Sequence, residues 1–360
     1  MSNDPDSSSR FQKQRLSPTL ADVARAAGVS VSTAGRVLRN KGWPVNEDLR
    51  QRVLKEAQEL AYVPNVMARS LRDGAPSMVG LVIGNMLDPY YGEIGETVTR
   101  YAEECTQTLV MVCNMQRSPQ LELEYCRRLW EHRVAGIILA GGGFDQFTLH
   151  DELESLLLQM ERSGVVVTTM SPRGLPFPVF SVDNEVVGEM AARELVKNGH
   201  RKVGIIVGPM KNRVLHLRIA GISRVLEDAG IEYFVHQTGL GPSWVAPALT
   251  DMLAARPDIS GVIAASSMMS INIIQAVEAT GRRVPDDMSV IGIGGHALGD
   301  WAVPRLTRVD MALDVCGRAA QDYIARRIAN EDVPADFSCD PVLVPGGSIR
   351  NLNGYRGVEV

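Results

Sequence analysis

Apolar residues recur along this chain in two rhythms. Between Thr19 and Leu60 they fall at helical spacing, and from Met78 onward short continuous apolar runs alternate with helical stretches. In the first region Leu20, Val23, Ala24 and Ala27 form one stripe. Thr19 opens it with Asp22 three positions on, a capping-box pattern with Asp in place of Glu or Gln. Gly28 stands where a short turn needs a positive φ. Ser30 is a good N-cap for a second helix over Val31 to Arg39, and the small Ala24 and Ala34 let two helices cross closely. Asn46 caps a third helix whose stripe is Leu49, Val53, Leu54, Ala57 and Leu60. Three short helices with a tight turn between the first two describe a helix-turn-helix module.

The stretch from Tyr62 to Gly74 carries weaker helix signals: Pro64 can open a helix and Gly74 can end it. So short a helix is marginal alone and is expected to fold only against a partner. Beyond it, strands are predicted over Met78–Ile83, Leu109–Cys113, Ala135–Leu139, Val165–Thr169, Lys202–Val207, Ile231–His236, Gly261–Ala264 and Ser289–Gly292. Helices separate them, beginning near Gly92 and then over Gln120–Arg133, Leu149–Ser163, Asn184–Asn198, Val214–Ala229, Trp244–Ala255 and Ser270–Thr280. Continuous apolar strands alternating with helices indicate an α/β body of parallel sheets flanked by helices. The number of units suits two lobes, with a ligand crevice at the carboxyl ends of the strands.

Charge divides the chain in the same place. The formal net charge of -5 argues against a uniformly basic protein. Residues 1–75 hold 12 Lys/Arg against 8 Asp/Glu, and the remainder 25 against 34. The N-terminal segment is therefore +4 and the body -9; without the polar residues 1–9 the module rises to +6. A small basic module on an acidic body points to a polyanion partner for the module alone. On the second helix Val31, Ser32, Thr33, Arg36 and Arg39 cannot all be buried. In a major groove Val31 and Ser32 would meet base edges, with Val31 suited to a thymine methyl, and Arg36 could fork onto guanine. Thr33 and Asn40 could bond phosphates.

Other classes find little support. No apolar run reaches the length of a membrane span. The polar start has no secretory core, which leads to the expectation of a cytoplasmic protein with a disordered leader over residues 1–17. Five cysteines without a C-x-x-C pair suggest neither a disulfide framework nor a zinc site, so no metal or cofactor is expected. There is no P-loop, G-x-S-x-G elbow or H-E-x-x-H, so an enzyme is not expected. The alternative, a solute-binding protein of a transport system without DNA binding, predicts an export signal that residues 1–17 lack.

The ordered set of motifs is more specific than any one of them. Thr19-Leu20-x-Asp22-Val23-Ala24-x-x-Ala27-Gly28-Val29-Ser30-x-x-Thr33-x-x-Arg36-Val37-Leu38 resembles the opening of the LacI/GalR family of bacterial transcriptional regulators. Tyr62-x-Pro64-Asn65-x-x-Ala68-Arg69-x-Leu71 resembles its hinge helix. The resemblance continues through Asp88-Pro89-Tyr90-Tyr91, Val182-Asp183-Asn184 with Gly188, Gly199-His200-Arg201-Lys202, Arg218-x-x-Gly221, Val284-Pro285-Asp286-Asp287 and Pro304-x-Leu306-Thr307. It implies a DNA-binding domain over 18–63, a hinge over 64–76 and an effector-binding and dimerisation domain over 77–360. The N-lobe would comprise about 77–180 and 309–339, and the C-lobe about 181–308 and 340–360. A homodimer on a pseudopalindromic double-stranded operator is implied, with Thr19, Ser30, Val31, Ser32, Thr33, Arg36, Asn40, Asn65, Ala68 and Leu71 at the DNA, Leu71 as the intercalating residue. The body would resemble a periplasmic binding protein closing on a small effector near Tyr90, Tyr91, Arg173, Asp183, Arg218, Ser266 and Gly294. Some positions depart from the family pattern. Ala34-Gly35 stands for the usual Val-Ser, Ser266-Ser267 for Asn-Asp, and Gly294-Gly295 for Asp-Asp. The last two pairs typically hold sugar hydroxyls, so their loss suggests a sugar acid over a neutral sugar. No leucine heptad follows the body, so a tetramer-forming tail is not expected.

Overall fold

The computed structural model describes residues 18–38, 45–63, 78–141, 149–209, 213–239, 241–294 and 296–353. The chain separates into two compact units, residues 1–75 and 76–360.

In the first unit, α1 (Leu20–Ala26), α2 (Val31–Leu38) and α3 (Glu47–Glu59) enclose a core of Val23, Ala24, Ala27, Ala34, Val37, Val53 and Ala57. The local signals work as their chemistry dictates. Thr19 Oγ1 accepts from the Asp22 amide at 3.3 Å while Asp22 Oδ2 accepts from the Thr19 amide at 3.0 Å, which closes the box. Gly28 turns the chain at φ +66. Ser30 Oγ accepts from the Thr33 amide at 3.1 Å, and Asn46 Oδ1 accepts from the Asp48 amide at 2.9 Å. The stripe on α3 is narrower than the sequence suggests. Leu54 and Leu60 stay 42% and 36% exposed, because a three-helix core this small covers only the Val53–Ala57 face.

The second unit holds two sheets. In the first, β1 (Met78–Ile83), β2 (Leu109–Asn114), β3 (Gly136–Leu139) and β4 (Val166–Thr169) run parallel in the order β2-β1-β3-β4. Helices α4 (Pro89–Tyr101), α5 (Pro119–Glu131) and α6 (His150–Arg162) connect them. Period-two alternation sends Val82, Ile137 and Leu139 against α5 and α6, and Val79, Leu81 and Ile138 against the opposite layer. In the second sheet, α7 (Asn184–Lys197), α8 (Arg213–Asp228), α9 (Val245–Ala255), α10 (Ser267–Ala279) and α11 (His296–Trp301) alternate with β5 (Lys202–Val207), β6 (Glu232–Gln237), β7 (Gly261–Ala264), β8 (Ser289–Ile293) and β9 (Thr307–Asp310). After β9 the chain returns to the first sheet as α12 (Leu313–Ile328), which packs on α4 and β4. It then comes back as β10 (Val342–Val344). The second sheet has the order β10-β9-β8-β7-β5-β6, parallel except for β10.

Two features separate this fold from its sequence reading. Helix α4 begins at Pro89, not near Gly92, because Asp88 caps it and Pro89 occupies its first turn. The α7–α8 pair is unusually close. A Cβ at Gly188 would lie 2.9 Å from the Arg218 carbonyl carbon, and one at Gly221 2.9 Å from that of Glu185. Glycine at both positions brings the two helices into backbone contact and fixes where α8 carries Arg218.

Candidate functional site

On the first unit, α2 turns Ala34 and Val37 inward and leaves Val31, Ser32 and Arg36 on the outside. Val31 is 47% exposed, an apolar side chain held in solvent at the start of a helix. Ser30 Oγ is 2.8 Å from both Ser32 Oγ and Thr33 Oγ1, so one hydroxyl cluster stands at that end. Thr19 is exposed at the cap of α1, and Thr33 is half-buried. The expected contact residues Asn40, Asn65, Ala68 and Leu71 lie outside the described residues, as does the expected hinge helix.

In the second unit a cavity of about 160 Å³ opens between the two sheets. Its walls come from the carboxyl ends of strands in both. Beyond β1 stand Asp88, Tyr90 and Tyr91, beyond β2 Arg117, and beyond β4 Ser171. The facing wall comes from Leu215 and Arg218 beyond β5, Ser266 and Met269 beyond β7, Ile293 at the end of β8 and Met311 beyond β9. Parallel strands expose unpaired backbone groups and helix N-termini at that edge, which is why α/β sheets bind ligands there.

The N-lobe wall is aromatic. Tyr90 and Tyr91 meet edge to face, with ring centroids 5.0 Å apart. Gly84 makes room for the second phenol: a Cβ there would lie 2.5 Å from Tyr91 Cζ. Burial pushes both phenols above the usual tyrosine range, Tyr91 up to about 12, so both are neutral donors at physiological pH. Asp88 accepts from the Tyr90 amide at 3.2 Å through one carboxylate oxygen and from Arg117 at 3.0 Å through the other.

The C-lobe wall centres on Arg218, 7% exposed. Its Nε donates to Asn184 Oδ1 at 3.0 Å, one terminal nitrogen to the Ala265 carbonyl at 2.8 Å and the other to Met311 Sδ at 3.1 Å. Asn184 is itself anchored to the Val182 carbonyl at 3.2 Å. Burial lowers the guanidinium to about 10, still charged at neutral pH.

The structure gathers Tyr90, Tyr91, Arg218 and Ser266 from distant parts of the sequence around one cavity. Three other expected residues do not line it. Arg173 is bound inward, 2.7 Å from Glu122 with both side chains 4% exposed, and also donates to the Gly141 carbonyl. A charge so buried requires a counter-charge, and Glu122 supplies it. Asp183 is exposed and caps α7 by accepting from the Glu185 amide at 2.8 Å. Gly294 sits just past the cavity wall and donates its amide to the Val309 carbonyl at 2.7 Å. Arg117 and Ser171 also line the cavity, although neither lies in a local motif and only the sheet topology brings them there. Among the described residues no His/Cys/Asp/Glu cluster could hold a metal, and no helix is long and apolar enough to cross a membrane. All five cysteines are free thiols.

A helix-turn-helix unit joined to a two-sheet body around a ligand-sized cleft defines a DNA-binding regulator fused to a binding-protein body. Comparison with known proteins bears this out. Residues 19–65 match the bacterial regulatory proteins of the lacI family, and residues 192–349 match a periplasmic binding protein-like domain. The chain is 30% identical over 338 residues to the HTH-type transcriptional repressor PurR of Proteus mirabilis, covering 92% of this chain and 97% of that protein. The solved transcriptional regulator CelR in its cellobiose complex is 27% identical and superposes with a TM-score of 0.66, over 92% of this chain and 99% of that one. The lac repressor dimer bound to operator and the anti-inducer ONPF shares the fold, with a TM-score of 0.79 at 21% identity over 93% of this chain and all of that one. The chain belongs to the LacI family of transcriptional regulators.

Proposed function

We propose that this chain represses genes of carbohydrate or sugar-acid metabolism and is released or engaged by a small effector bound between its two lobes. The observation that carries the reading is the cavity itself, whose two walls come from different sheets. A ligand touching Tyr90 on one wall and Arg218 on the other bridges the lobes. The lobes are connected by three strands of chain: the segment before α7, the one between β9 and α12, and the one between α12 and β10. Such a ligand therefore favours one lobe arrangement, and differential affinity for two arrangements is what couples effector to DNA.

In this reading residues 18–63 form the DNA-binding domain, 64–76 the hinge and 77–360 the effector and dimerisation domain. A homodimer on a pseudopalindromic operator presents two copies of α2 to successive major grooves, Val31, Ser32 and Arg36 read bases, and Leu71 wedges the central minor groove. The protein acts in the cytoplasm, where that DNA lies. Among the relatives, CelR is solved as a complex with cellobiose, which supports a carbohydrate-type effector for this chain. Mapping the genomic sites bound by the full chain, followed by gel shifts on the recovered sequences, tests the proposal. Sites with a shared two-half motif beside catabolic genes are expected, and binding without sequence preference would overturn it.

A further inference from the structure

The cavity has a charge and hydrogen-bonding imbalance that points to the chemistry of its ligand. Three charged side chains line it among the described residues: Asp88, Arg117 and Arg218. Asp88 is already committed to Arg117 and to the Tyr90 amide. Arg218, though buried, is held by an amide oxygen, a backbone carbonyl and a thioether, all neutral, the last a weak acceptor. Those three partners use three of its five N–H groups. Buried charges are ordinarily paired, and elsewhere in this body they are: Arg173 meets Glu122, and Arg308 meets Asp300 at 3.0 Å. On the other wall the Ser171 hydroxyl is buried without any partner. Ser266 and Gly294, just beyond β7 and β8, carry no carboxylate.

We propose that the effector is a small monocarboxylate whose carboxylate completes the shell of Arg218 and whose polar groups also satisfy Ser171. This rests on the regulator reading and specifies its ligand. One negative charge matches the single surplus positive charge of the lining. A phosphate dianion exceeds it, and a neutral sugar leaves it unanswered. The tyrosine pair, Met269, Ile293 and Met311 give the rest of the ligand an apolar and aromatic bed.

The test uses the full chain and matched sets built on one carbon skeleton: glycerate, glycerol and glycerol phosphate; gluconate, glucose and glucose 6-phosphate; galactonate, galactose and galactose 1-phosphate. Thermal unfolding is followed with each, since a ligand bound only by the folded state raises the melting temperature. In at least one set the acid is expected to raise it most and, by calorimetry, to bind at least tenfold tighter than its neutral and phosphate counterparts. Arg218→Gln should remove that preference, Arg218→Lys should retain it in weakened form, and Ser171→Ala should weaken acid binding several-fold. The proposal is overturned if no acid exceeds its neutral counterpart, if a phosphate member binds tightest, or if Arg218→Gln, shown folded by circular dichroism, keeps the preference. Gel shifts of the wild-type chain run alongside. Retained sequence-specific DNA binding with no acid preference sinks the ligand assignment alone, and loss of specific DNA binding sinks the regulator reading.

Discussion

The closest backbone approach in the body invites a direct test at Gly221. A methyl group there would stand 2.9 Å from the Glu185 carbonyl carbon and 3.0 Å from the Glu189 amide nitrogen, and nearer still to the Glu185 oxygen. All of these are backbone atoms of α7, so no side chain can swing away and the helix pair must part by roughly 1 Å to restore ordinary contact. Overpacking of this kind costs about 1–3 kcal/mol, and the rigid partner places Gly221→Ala near 3. At roughly 2 °C per kcal/mol for a body of this size, its melting temperature should fall by about 6 °C. Gly95→Ala is the contrasting control, because a Cβ there meets open space and a helical glycine replaced by alanine gains about 0.5–1 kcal/mol. Scanning fluorimetry of the three proteins reads both shifts. A Gly221→Ala protein melting within about 1 °C of wild type would show that α7 and α8 are not in backbone contact. Arg218 lies one turn before Gly221, so the same variant should also lose response to whatever ligand the wild type binds.

The remaining predictions concern DNA recognition and the stability of the two units. Arg36→Ala should relax base preference at one operator position by about 1–3 kcal/mol in competition gel shifts, and unchanged preference would remove Arg36 from the reading surface. Leu71→Ala should reduce operator bending measured by circular permutation; an unaltered bend would count against a wedge. Gly28→Ala places a Cβ in open space but at φ +66, so the isolated cost is backbone strain of about 1–2 kcal/mol, visible as earlier urea unfolding of the N-terminal unit. His200 is buried, its Nδ1 2.9 Å from Ser260 Oγ, and burial holds it below the usual 6.5. The unfolded chain then binds that proton first, so stability should fall as pH drops below about 6.5 toward the folded value, by at most about 1.4 kcal/mol per pH unit. His200→Gln should flatten that slope, and parallel pH profiles for the two proteins would contradict it.

Much of the fold was legible because its signals are local. β1, β5 and β7 run over the residues their apolar runs predict, and the caps at Thr19, Ser30 and Asn46 act on amides two or three residues away. The reading thinned after β8. The apolar pattern of β9 is broken by Arg308, which looks like a surface residue but is 1% exposed against Asp300. Helix α12 belongs to the first sheet although it follows the second, a return that no hydrophobic period encodes.

Composition, charge and spacing by themselves determined a basic three-helix module, an acidic body of parallel sheets and the family they resemble. Each rests on residues near one another in the chain. Which side chains share the cleft was decided only by the tertiary structure. Ser171 faces the cavity while Arg173, two residues on, turns to Glu122; Asp183 caps a helix while its neighbour Asn184 holds Arg218. The physical reason is that a buried charge or hydroxyl takes its role from its nearest polar partner, and across two sheets that partner lies tens of residues away in sequence.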